Sequence, residues 1–387
     1  MFADPLDPLA LDSLLSDEEV AIRDAVRRFV DERVVPGVGE WFERGEFPAE
    51  IRAGVAELGL LGMHLEGYGC LGANATSYGL ASLELEAGDS GLRSFVSVQG
   101  SLSMFPIHRY GSDEQKERWL PRMATGEVVG CFGLTEPDSG SDPARMRTNA
   151  RRDGGDWILN GTKMWITNGG IAQLAVVWAK TDDGVRGFLV PTDTPGFSTS
   201  DVHRKLSLRA SVTSELVMAD VRLPDEAVLP GVTGMKGPLS CLTEARYGIV
   251  WGAMGAARAC LASALEYAGT RVQWGRPIAG FQLTQAKFAD MTVQLQEGLL
   301  LAQHLGRMKD EGLLRPEQVS VGKLNNVRAA LEIARTCRSI LGASGITLEY
   351  PVIRHMNNLE SVLTYEGTHE VHTLVVGQAL TGENAFR

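Results

Sequence analysis

The chain has 387 residues, 44% hydrophobic and 22% charged, which is the balance of a folded protein of two or three domains and excludes a disordered segment. The net charge is −11 without any Lys/Arg-rich block, which argues against nucleic acid or an anionic membrane surface as partner. An anionic substrate must therefore be held by a local group of arginines. The five cysteines are scattered, odd in number and form no C-x-x-C pair, as expected of reduced, buried thiols.

The acidic N-terminal stretch lacks both the apolar core of a signal peptide and the arginines of a transit peptide. No uninterrupted apolar run reaches membrane-spanning length, so no membrane span is expected and the cytoplasm is the expected location. Ser16-Asp-Glu-Glu19 has the form of a capping box. Ile22, Ala25, Val26, Phe29 and Val30 then recur on one helical face until Pro36. Ser112-Asp-Glu-Gln115 opens another helix, which Pro121 is expected to close. Near Cys131 the pattern becomes β-like. In "WILNGTKMWIT" (Trp157–Thr167) Asn160-Gly161 stands between two β-rich runs and predicts a hairpin. The runs "LAVVWAKT", "GFLVPTD" and "ELVMADVRLP" predict further strands. Gly231, Gly234 and Gly237 read as a linker. After Lys236 helical periodicity returns over about 240–270, 282–310 and 316–341, with a last helix from near Thr368. The order is helical (1–130), β (131–235), helical (236–387), an α+β multidomain chain. It lacks the βαβ alternation of a doubly wound fold, and no G-x-G-x-x-G follows a strand.

The C-terminal "TYEGTHEVH" (Thr364–His372) concentrates acids and histidines. His369 and His372 stand three apart, where zinc-protease spacing is four, and no third ligand is evident, so no metal is expected. Glu366 precedes Gly367, which permits a tight turn, and Thr368 is placed to cap the following helix. "CFGLTEPDSGSD" (Cys131–Asp142) offers exposed backbone, "KMWITNG" (Lys163–Gly169) sets a Trp beside a Thr, and "TRVQWGRPI" (Thr270–Ile278) closes a long helix with two arginines.

Together these stretches resemble the acyl-CoA dehydrogenase family, in that family's order and over essentially the whole chain. "RSFVSVQGSL", "ARYGIVWGAMGAA" and the run from Val352 to Phe386 are similar to the branch that dehydrogenates glutaryl-CoA and decarboxylates it to crotonyl-CoA and CO2. The resemblance implies a helical domain, a β-barrel-like domain and a four-helix domain assembled as a homotetramer. It also implies FAD as cofactor and electron-transfer flavoprotein as electron acceptor.

Carried over by motif, Glu366 would be the catalytic base. Phe132, Leu134, Thr135, Gly140, Ser141, Trp165, Ile166 and Thr167 would line the flavin, and Thr368 would meet it at a helix start. Arg271, Gln282, Leu341 and Gly342 would complete the FAD site from a neighbouring subunit, and Phe386 would also bind the cofactor. Ser141, Leu242, Thr243, Arg246, Tyr365 and Gly367 would touch the CoA thioester. Arg93 would bind a distal carboxylate bidentately, Ser94 would add a hydrogen bond, and Glu86, seven residues back on the same expected helix, would orient the guanidinium. Departures from the pattern are Leu92 for an aromatic, Trp274 for Phe, and "GASGI" (Gly342–Ile346) for Gly-Gly-Asn-Gly. Another short-chain or carboxylated acyl-CoA, oxidised without decarboxylation, is the alternative substrate.

Overall fold

The computed structural model describes residues 2–386. Helix α1 (Asp17–Phe29) starts at the capping box: the Ser16 hydroxyl accepts from the Glu19 amide and the Glu19 carboxylate accepts from the Ser16 amide. Val26, Phe29 and Val30 enter the core, whereas Ala25 faces solvent. Short helices α2 (Val38–Arg44) and α3 (Ala49–Glu57) follow. The almost entirely buried α4 (Ala75–Gly88) leads into α5 (Ser90–Ser97), which continues as a wide π-type turn, Val98–Met104. Then come α6 (Phe105–Tyr110) and α7 (Asp113–Ala124). Pro121 does not close α7 but lies inside it. One missing backbone donor near the C-terminal end is tolerated because Leu120, Met123 and Ala124 anchor that end in the core.

The middle segment forms a curled seven-stranded sheet in the order β1-β4-β2-β3-β7-β6, with β5 pairing β4. Its strands are β1 (Gly130–Gly133), β2 (Asn149–Asp153), β3 (Asp156–Thr167), β4 (Leu174–Thr181), β5 (Gly184–Pro191), β6 (Phe197–Asp201) and β7 (Thr213–Pro224). The expected hairpin at Asn160-Gly161 is absent. Both residues lie within the single strand β3, and the turn is at Gly154-Gly155, where Asp153 faces Asp156. Gly161 marks a register shift against β7 instead. Its φ is 148°, and a Cβ there would stand 2.4 Å from Thr148 Oγ1, so glycine serves a close crossing, not a reversal.

The C-terminal helices are α8 (Lys236–Thr270), α9 (Gln282–Asp310), α10 (Pro316–Ile340), α11 (Val352–Thr364) and α12 (His369–Thr381). Gly237 lies in the first turn of α8, not in a linker. The length and hydropathy of α8 would suffice to cross a membrane, but 72% of that stretch is buried inside the protein, as in a core helix. It packs against α4 and α10 at the centre of one hydrophobic core shared by the N- and C-terminal helices.

Candidate active site

The site is built on a corner. Asp89 separates α4 from α5 with an extended backbone, so Glu86 and Arg93 lie on two helices, not on one as expected. The Asp89 carboxylate accepts from the Gly91 amide at 2.7 Å, from Arg354 Nη1 at 2.6 Å and from Asn358 Nδ2 at 2.9 Å, which ties the corner to α11. The bend still brings Arg93 Nε onto Glu86 Oε2 at 2.6 Å, while Ser90 Oγ donates to Glu86 Oε1 at 2.8 Å. Both charged groups are fully buried. Close packing of α8 requires Gly252, because a Cβ there would lie 2.1 Å from Glu86 Oε2.

Arg93 Nη2 donates to the Tyr365 hydroxyl, which also lies 3.3 Å from Ser94 Oγ. Arg93 Nη1 is buried and has no hydrogen-bond partner among the described residues. Burial opposes the Arg93 charge, but Glu86 outweighs it and holds the guanidinium above its ordinary range, so it is a permanent cation.

Tyr365-Glu366-Gly367 is the turn between α11 and α12. Glu366 is left-handed at φ 52° and Gly367 follows at φ 96°. The Thr368 hydroxyl caps α12 by accepting from the Val371 amide at 3.2 Å. Arg246 Nε donates to the Glu366 carbonyl at 2.7 Å. Lys323 Nζ donates to the Gly367 carbonyl at 2.6 Å and to that of Tyr365. Three consecutive carbonyls are thus held by the buried Lys323 and the half-buried Arg246. The His372 ring packs under Gly367, with Nδ1 3.0 Å from Ser320 Oγ. Glu366 Oε2 is buried without a hydrogen-bond partner among the described residues. Burial pushes the Glu366 carboxyl above its ordinary value, and Arg93, Lys323 and Arg246 only partly offset this.

Trp165 is 59% exposed, at φ 65° beside the register shift of β3, with Thr167 next to it. Gly140 and Ser141 are exposed, and a Cβ at Gly140 would meet nothing within 4 Å. An open aromatic floor beside a hydroxyl and bare backbone fits a flat ring system. Phe132, Leu134 and Ile166 depart from expectation: their side chains belong to the core, and only their backbones are left for a ligand. The loop after β1 is pinned by Lys163, which donates to the Leu134 carbonyl at 3.0 Å and to Glu136 at 2.9 Å.

Leu341 is likewise a core side chain. Arg271, Gln282, Gly342 and Phe386 are exposed, and no hydrogen bond among the described residues joins them to the turn. Leu242 is half-buried and Thr243 Oγ1 returns to the Leu239 carbonyl at 3.0 Å. Sequence reasoning missed Lys323 and Gly252. Of these, Lys323 carries a legible signal, a lone charge on the apolar face of α10 between Val319 and Val327. A separate cavity of about 430 Å³ under the N-terminal segment is lined by Glu84, Arg27 and Arg258, whose charges pair with one another.

A carboxylate with a buried, unpartnered oxygen faced by Arg93, Lys323 and Arg246 suits an enzyme that takes a proton from a weak carbon acid, and the exposed Trp165 with the open backbone at Gly140 suits a planar cofactor. The profiles of the acyl-CoA dehydrogenase N-terminal, middle and C-terminal domains match residues 16–127, 131–221 and 233–381. The chain belongs to the acyl-CoA dehydrogenase family and is an acyl-CoA dehydrogenase. It is similar to a glutaryl-CoA dehydrogenase from Mycobacterium smegmatis solved in complex with FADH2, at 64% identity and TM-score 0.99 over 100% of both chains. It is similar to a glutaryl-coenzyme A dehydrogenase solved with glutaryl-CoA, at 32% identity and TM-score 0.92 over 96% of this chain and 98% of that one. The mitochondrial short-chain specific acyl-CoA dehydrogenase of Bos taurus is 35% identical over 370 residues, 94% of this chain and 90% of the relative.

Proposed function

We propose that the enzyme oxidises glutaryl-CoA between Cα and Cβ and releases CO2 to give crotonyl-CoA, with electron-transfer flavoprotein as the electron acceptor. The observation that carries the acyl assignment is the Arg93 guanidinium, oriented by Glu86 and left with a buried, unpartnered Nη1 in the site that holds Glu366. A distal carboxylate answers that donor, whereas a plain acyl chain leaves a buried guanidinium N–H without an acceptor. Ser94 and Tyr365 supply further hydroxyls at the same place.

FAD is the cofactor and, when bound, supplies the acceptor for the β-hydride. Trp165, Thr167, the backbone from Phe132 to Ser141 and the helix start at Thr368 would hold it. Arg271, Gln282, Gly342 and Phe386 are proposed to reach the FAD of another copy in a homotetramer. The exposed Trp274 and Leu283 near Arg271 and Gln282 support that assembly.

Glu366 takes the α-proton, and its own backbone N–H would polarise the thioester carbonyl. Arg93 fixes the far end of the chain, so the α-carbon is presented to Glu366 at a set depth. Loss of CO2 from the oxidised, glutaconyl thioester breaks the bond between Cγ and the carboxyl carbon. The electron pair left behind delocalises into the thioester as a dienolate. Glu366, carrying the abstracted proton, returns it to Cγ, which gives crotonyl-CoA. Anaerobic mixing of the flavinated enzyme with glutaryl-CoA tests this: flavin bleaching with release of one CO2 per turnover is expected. Bleaching by butyryl-CoA but not glutaryl-CoA rejects the substrate, and glutaconyl-CoA without CO2 rejects the decarboxylation.

A further inference from the structure

Lys323 is only 2% exposed and projects from α10 among Val319, Gly322, Asn326 and Val327, all buried. Its ammonium makes no ion pair among the described residues; its partners are the carbonyls of Tyr365 and Gly367. A buried ammonium is costly when it lacks acceptors. The acceptors here are two carbonyls beyond the C-terminal end of α11, where the helix dipole also favours a cation. Those carbonyls flank Glu366, a non-glycine residue in the left-handed region at φ 52°. Such a conformation persists only where the surroundings enforce it.

We propose that Lys323 is a positioning residue of the reaction: by bridging the carbonyls on either side of Glu366 it enforces the turn that aims the carboxylate, and its charge stabilises the carboxylate as base. The inference rests on Glu366 being the base. Other groups face the same carboxylate: Arg93 from α5, Arg246 from α8, Glu86 from α4, and Tyr365 within the turn. His372 of α12 lies against Gly367 of the same turn. Only Lys323 spans both flanking carbonyls, since Arg246 holds the carbonyl of Glu366 itself. Burial pulls the Lys323 ammonium below its ordinary range, and the nearby Glu366 carboxylate opposes that shift.

The test compares Lys323→Met, which removes donors and charge, with Lys323→Gln, which keeps an N–H donor pair without charge. Flavin reduction by glutaryl-CoA is followed anaerobically across pH in the flavinated enzymes, alongside FAD content and CoA-thioester affinity. Lys323→Met is expected to slow the limiting reduction rate by about 30-fold or more while FAD content and affinity change little, and Lys323→Gln to recover about tenfold of that loss. In Lys323→Gln the rise of the rate with pH moves to higher pH, because removing a cation disfavours the Glu366 carboxylate. A Met variant within about threefold of wild type at every pH overturns the proposal, as does a loss confined to FAD content in both variants. If the Met variant does not fold, a Gln variant with wild-type rate and pH profile overturns it. Glu366→Gln is the control. If that variant still bleaches, the assignment of the base has failed, and Lys323 is not the cause.

Discussion

Glu366 and Arg93 each retain one buried polar atom without a partner among the described residues, and in the proposed reaction these would meet the α-proton and the distal carboxylate of the thioester. Glu366→Gln should keep FAD and thioester binding yet lose flavin reduction by several orders of magnitude, read by stopped-flow bleaching. Because burial raises the Glu366 carboxyl above its ordinary 4.5, the basic form appears only as pH climbs past that raised value. The reduction rate should therefore rise with pH through a midpoint above that of a free carboxylate. A rate that is flat down to pH 4.5 would contradict the burial argument. Arg93→Met leaves the distal carboxylate unpaired, at a cost of about 2–5 kcal/mol in kcat/KM for glutaryl-CoA. Pentanoyl-CoA, which has no such charge, should lose far less. Equal losses on both substrates would make Arg93 structural.

At the scale of elements, the acyl end depends on how closely α8 approaches α4. Gly252→Ala would set a methyl 2.1 Å from the resting position of Glu86 Oε2, so Glu86 and its partner Arg93 must move. The expected result is a drop of about 10- to 100-fold in kcat/KM for glutaryl-CoA with the flavin spectrum unchanged. A wild-type glutaryl-to-pentanoyl ratio in this variant would show that the orientation of Arg93 does not depend on the contact. Asp89 acts on the same geometry from the other side, since its carboxylate ties the α4–α5 corner to Arg354 and Asn358. The corner, rather than helical periodicity, is what sets the Glu86–Arg93 pair.

At the scale of the whole molecule, several buried groups share one direction of response to acid. Burial lowers His64 to about 4 and His372 to about 3, from an ordinary 6.5. Glu19 and Glu136 fall to about 2: burial alone would raise them, but hydrogen bonds from Arg307 and the Ser16 amide, and from the Arg147 amide and Thr148, outweigh it. In each case the unfolded chain binds the proton first, so the stability is present at neutral pH and is lost as pH falls below about 6.5 for the histidines and below about 4.5 for the glutamates. Glu366, with its raised value, acts in the opposite sense over a narrower range. Thermal melts should show Tm falling steadily from pH 7 toward pH 4; a constant Tm over that range would mean the histidines are not buried as neutral rings. The exposed Arg271 belongs to a larger scale still. Arg271→Ala should weaken FAD retention and assembly together, measured by flavin content and sedimentation, and a fully flavinated, fully assembled variant would give that residue another task.

By itself the sequence determined the helical, β, helical order, the capping boxes at Ser16 and Ser112, the cap at Thr368 and the turn at Glu366-Gly367. These are local: each depends on residues three or four apart, and short-range hydrogen bonds decide them. The tertiary structure alone decided which face of each motif is used. It turned Asn160-Gly161 from a hairpin into a close crossing over Thr148, and put Phe132, Leu134, Ile166 and Leu341 into the core. It also broke the helix between Glu86 and Arg93 without parting them. Gly252 remained silent, and Lys323 showed only as a lone charge on an apolar helix face, for the same reason: their partners lie 42 or more positions away in the chain, and no local pattern encodes a carbonyl or a carboxylate brought near only when the helices pack.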